Sequence, residues 1–180
     1  MKVAVGVLVD PLAAAHERAV EGVNAWRGRC LASFTRVEMA VSETLVALAA
    51  SRGDVTLPHM FGQRLEVLRE VLDAGGSAAE LSNALARFAS HLPLRVFLTH
   101  GDARVTMDRD GRWQAVVTVL ALKPDGGEKS FLVLEEGEAQ VIAQTLGRER
   151  QRLVTRLAQW CGELSTPASH TALRVGATLV

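Results

Sequence analysis

From Asn24 to Ala50 the apolar residues Trp26, Cys30, Phe34, Val37, Val41, Leu45 and Leu48 recur at steps of three and four. That spacing puts them on one face of an amphipathic helix. Phe61, Leu65, Leu68 and Leu72 repeat the pattern, and Asp73-Ala-Gly-Gly76 ends it with residues that tolerate turn geometry. Ser77-Ala-Ala-Glu80 has the spacing of a capping box, in which hydroxyl and carboxylate satisfy backbone N–H groups at a helix start. A third helix is predicted after it, with Leu81, Leu85, Phe88 and Leu92 inward. Pro93 has no backbone N–H to donate, so it opens a new short helix or kinks the third just before Arg95.

Beyond Gly101 the period shortens from helical to alternating. Val105 and Met107 alternate with polar neighbours, Asp108-Arg-Asp-Gly111 is a hairpin turn signal, and a strand from Trp113 to Leu122 answers it. Pro124-Asp-Gly-Gly127 marks a second turn before the short apolar run Ser130 to Leu134. A three-stranded antiparallel meander is the economical reading. A last long helix is predicted from about Gly137, with Ile142, Leu146, Leu153, Leu157 and Trp160 inward and Arg148, Arg152 and Arg156 four apart on another face. Val3 to Val9 and Leu173 to Val180 each read as a strand that could pair with the other.

The expectation is one mainly α domain over 1–180: a helical core at about 11–101, a β-meander at about 103–134, a closing helix at about 137–161 and a tail at 162–180. A chain of 180 residues can bury a core of its own without disulfide or metal staples. Its 48% hydrophobic and 22% charged residues give a globular balance, which argues against disorder. Lys plus Arg equals Asp plus Glu, so no global field draws the chain to nucleic acid or an acidic membrane, and any such binding needs a local patch. Only Lys2 precedes the short apolar start, no small-residue cleavage site follows it, and charged residues interrupt every apolar stretch. A cytoplasmic protein without a membrane segment is expected. Cys30 and Cys161 stand far apart outside any Cys-x-x-Cys pair, so buried thiols are expected rather than a zinc site or a disulfide.

Arg95-Val-Phe-Leu-Thr-His100-Gly101 carries the sharpest functional cue. An arginine followed after four residues by a His-Gly pair, placed between a helical core and a meander with a closing helix, resembles the HEPN superfamily. The resemblance implies a HEPN-like antiparallel helical bundle and a metal-independent endoribonuclease without cofactor, at work in bacterial defence, toxin–antitoxin or stress systems. It also implies a homodimer, with RNA as substrate and an antitoxin or other protein as a further partner. Such cleavage needs a base for a ribose 2′-OH, a cation for the phosphate and an acid for the leaving oxygen. His100 suits proton transfer because imidazole titrates near neutrality, and the forked Arg95 guanidinium matches phosphate oxygens.

Residues five apart on an ideal helix point about 140° away from each other. Either the helix loosens near Gly101, or two copies supply two arginines and two histidines to one cleft, the arrangement the resemblance favours. Glu38 and Asp102 are candidates to support Arg95 or His100, and Arg148, Arg152 and Arg156 to follow an RNA backbone. Val96 stands where many active members carry a polar residue, so the alternative is a catalytically inactive RNA-binding or protein-interaction module. The chain has no tyrosine, which excludes the family's Tyr-containing toxin variant. His16, His59, His91 and His170 lack metal-ligand spacing.

Overall fold

The computed structural model describes residues 10–75, 79–124 and 126–164. The elements run α1 (Pro11–Arg52), α2 (Phe61–Gly75), α3 (Ala79–Ala89), α4 (Leu92–His100), β1 (Asp102–Met107), β2 (Trp113–Lys123), β3 (Gly126–Glu135) and α5 (Glu136–Leu164). This is the mainly helical fold expected, with a three-stranded antiparallel sheet before the last long helix.

The first helix begins thirteen residues earlier than its apolar period suggested, at Pro11 rather than Asn24. Asp10 is its N-cap: the carboxylate accepts the Leu12 N–H at 2.9 Å, and Pro11 occupies the position where a missing N–H costs nothing. Ala19 and Val23, both buried, carry the apolar stripe back toward that start. At the other end Gly53 adopts φ 78° and donates its N–H to Ala49 O at 2.9 Å, a left-handed cap that a side chain would strain. The Ser77 half of the capping box and both terminal strand candidates lie outside the described residues.

Two compact units divide the described residues, one from residues 10–32 with 93–145 and one from residues 33–92 with 146–164. In the first, β1, β2 and β3 form a meander in that order, with Asp102 opposite Thr118 on one side of β2 and Phe131 opposite Thr118 on the other. Trp113, Ala115, Val117 and Val119 of β2 and Leu134 of β3 are buried, as are Val23, Trp26 and Cys30 of α1. The Trp26 and Trp113 rings lie 6.3 Å apart, tilted at 46°. Asp108 N–H donates to Arg112 O at 2.9 Å and Gly111 takes φ 77°, so the predicted hairpin turn forms where the sequence places it. β3 runs from Gly126, four residues before its apolar run, because ladder hydrogen bonding to β2 does not require apolar side chains.

In the second unit Phe34, Val37, Val41, Leu45 and Leu48 of α1 are buried, as are Phe61, Leu65, Leu68 and Leu72 of α2, Leu81, Leu85 and Phe88 of α3, and Leu146, Leu153 and Leu157 of α5. Phe34 and Phe88 meet edge to face at 5.4 Å. Arg64 fastens the α1–α2 connection: its Nε donates to Pro58 O at 2.9 Å, its Nη1 to Ser42 Oγ at 2.9 Å and Glu38 Oε1 at 3.3 Å, and its Nη2 to His59 O.

Candidate functional site

α4 is nine residues long, and both members of the motif lie on it. Its helical bonding persists to the end, since Gly101 N–H donates to Phe97 O at 3.0 Å. Thr99 Oγ1 donates to Arg95 O at 2.8 Å, a local bond within the same turn. The helix therefore does not loosen before Gly101, and Arg95 and His100 keep the angular separation of about 140° that a regular helix imposes. Arg95 is half-buried and His100 is exposed.

The geometry explains the glycine after His100. A Cβ at Gly101 would collide with Val117 Cγ1 and with the carbonyl oxygen of Phe97, so the end of α4 approaches β2 more closely than any side chain permits. Gly101 is buried and does not have a positive φ. Close approach, rather than backbone conformation, is what requires it.

Arg27 of α1 holds this end from the other side. Its Nη2 donates to Leu98 O at 2.8 Å and to Gly101 O at 3.1 Å, satisfying carbonyls that a helix C-terminus leaves without intrahelical partners. Sequence reading missed Arg27, because its place one residue after Trp26, at the edge of the apolar stripe, is also the place of an ordinary solvated flank. His16, Asn24 and Arg27 of α1 and Gly101, Asp102 and Arg104 at the start of β1 line a groove of about 490 Å³ next to the motif. His16 Nε2 lies 3.3 Å from the O of Val105, which also lines that groove. Two arginines and one aspartate among these residues leave it a net positive lining.

No family model, curated protein or solved structure matches this chain.

Asp102 is exposed and lines the groove. Glu38 is half-buried in the second unit, where its carboxylate accepts from Arg64 at 3.3 Å. Of the α5 arginines, Arg148 and Arg152 are exposed, whereas Arg156 is half-buried with its guanidinium 2.9 Å from Glu80. Glu149, which interrupts that row, lies 2.6 Å from His91 Nε2. The row is therefore not an uninterrupted run of solvated cations.

No disulfide joins the cysteines. Cys30 is fully buried, and that burial pushes its thiol up to about 11, against a smaller opposing effect of Arg29. Cys161 Sγ donates to Thr44 Oγ1 at 3.5 Å. Asp108 is held below the usual carboxylate range, first by the backbone N–H of Arg112, then by the Arg112 side chain and the N–H of Asp110. Among the described residues no three His, Cys, Asp or Glu side chains are grouped to hold a metal ion, and no helix is long and apolar enough to cross a membrane.

Proposed function

We propose that this chain is a metal-independent endoribonuclease of the HEPN type, with a composite site in which two copies each contribute Arg95 and His100. The observation that carries the reading is the regular helix of α4 through His100. One copy presents its arginine and histidine on different sides of that helix, so a single phosphodiester is served from both sides only when a second copy faces the first. The buried Gly101 and the Arg27 clamp support the reading by holding the imidazole-bearing end rigid, as proton transfer within hydrogen-bond reach demands.

In this mechanism one His100 takes the proton of the ribose 2′-OH while the oxygen attacks the adjacent phosphorus. The Arg95 side chains stabilise the charge that builds on the phosphoryl oxygens, and the other His100 protonates the departing 5′-oxygen. The bond to the 5′-oxygen breaks as the bond to the 2′-oxygen forms, leaving a 2′,3′-cyclic phosphate and a 5′-hydroxyl end. A bacterial defence, toxin–antitoxin or stress role and a cytoplasmic location belong to the same reading.

Purified protein in EDTA is expected to cut single-stranded RNA into products with cyclic-phosphate ends. His100→Ala is expected to lower the rate by at least about a hundredfold, the scale of one general acid–base group, with little change in melting temperature. Full activity in that variant sinks the proposal.

A second reading rests on Val96, which is 46% exposed directly after Arg95. An apolar group there orients neither phosphate nor imidazole, which favours a catalytically inactive module that binds RNA or a protein. Its signature is a salt-dependent RNA shift with intact RNA, or, without any shift, a protein partner.

A further inference from the structure

The β-meander leaves one apolar face exposed, and along the outer edge of β3 the last residue has a backbone contact, where Glu135 N–H donates to Glu138 Oε2 at 3.1 Å. β3 pairs with β2 alone, so among the described residues its outer N–H and C=O groups meet no other strand. A long edge of this kind is a template for another strand unless charge, proline or a bulge blunts it. On the outer face of β3 stand, in order, Lys129, Phe131, Val133 and Glu135. Phe131 is 62% and Val133 63% exposed, and Val116, Leu120 and Leu122 of β2 extend the same apolar face. One lysine at one end, one glutamate at the other and two large apolar residues between them form a pattern that complements its own reverse.

From this we infer that the β3 edge binds the β3 edge of a second copy, antiparallel, with Leu132 on the twofold axis. That register sets Lys129 opposite Glu135 of the second copy at both ends and Phe131 opposite its Val133 at both inner positions. Shifting the centre to Phe131 sets Lys129 against Val133, and shifting it to Val133 sets Phe131 against Glu135, so each neighbouring two-fold register loses both matches at once. Glu128 faces Glu136 in the inferred register, but Glu136 already belongs to α5, and its carboxylate accepts the Trp113 N–H at 3.4 Å. Glu135 retains acceptor capacity for a lysine beside the bond it receives from Gln114 at 3.1 Å. The contact lies on the strand farthest from α4 in sheet order and does not depend on the nuclease reading.

Charge reversal tests both the contact and its register. Lys129→Glu places two glutamates together at each end, and Glu135→Lys places two lysines together there. Each variant alone is expected to associate about tenfold more weakly than the wild type, seen by light scattering as a fall in mass toward half at high micromolar protein. Mixed in equal amounts, the two variants re-form opposite-charge pairs at both ends, and the mass is expected to recover. Circular dichroism checks that each variant is folded, as expected for changes at exposed positions, and retained His100 activity is not needed for any reading. Single variants as massive as the wild type, a wild type no more massive than the variants, or a mixture that fails to recover each overturn the inference.

Discussion

Gly101 and Cys30 make the sharpest demands on single side chains. A methyl at position 101 has a backbone oxygen, that of Phe97, on one side and Val117 on the other. A backbone atom yields less readily than a flexible side chain, so Gly101→Ala is expected to destabilise the fold by about 1–3 kcal/mol, the range of overpacked sites. Urea denaturation with an unchanged midpoint would contradict this. Cys30 holds its proton to about pH 11, whereas an unfolded thiol loses it near the ordinary value of 9.0. In that window the folded state binds more protons than the unfolded one, so stability is complete below pH 9 and declines as the pH rises toward 11. The total loss is on the order of 2–3 kcal/mol, readable in denaturation midpoints, and a thiol reagent near neutral pH is expected to leave Cys30 unmodified until the protein unfolds.

At the scale of elements, two arginines secure ends that helix periodicity says nothing about. Arg64 ties the α1–α2 connection to α1 through four acceptors, and Arg64→Ala is expected to cost about 1–3 kcal/mol and to raise amide exchange around Pro58 and His59. Unchanged exchange there would show that the loop holds without it. The β1–β2 hairpin depends on Asp108 as an acceptor for the Asp110 and Arg112 N–H groups. Its pKa is lowered on folding, so the hairpin's stabilisation is present above the unfolded carboxylate value and is lost as the pH falls through the folded one. Amide exchange at Asp110 and Arg112 that accelerates selectively in acid is the expected sign. Asp108→Asn is expected to remove that pH dependence.

For the whole molecule, α4 is the platform that carries both members of the motif. Arg27→Ala removes the bonds to Leu98 O in the last turn of α4 and to Gly101 O just beyond it while leaving Arg95 and His100 in sequence. If the chain cleaves RNA as proposed, this variant is expected to lose about tenfold or more in kcat, because a poorly held catalytic group forfeits orientation, while RNA affinity changes less. A variant that binds less RNA but turns over normally would instead mark Arg27 as a contact for substrate in the groove it lines.

Elements with strong periods were legible before any coordinates. The stripe from Trp26 to Leu48 has to face a core because a helix repeats every 3.6 residues, and the Asp-Arg-Asp-Gly turn has to reverse a strand because its glycine accepts a positive φ. The motif Arg95 to His100 was equally visible, as was the angular conflict between its two ends. What tertiary structure alone decided was which neighbours met: that Gly101 is required by β2, that Arg27 closes α4, that Glu38 accepts from Arg64 and that Arg156 pairs with Glu80. Those partners lie between 16 positions apart, for Gly101 with Val117, and 76, for Arg156 with Glu80. Local spacing reports which way a side chain leaves its own helix or strand. Only the folding of distant segments onto one another determines what that side chain meets.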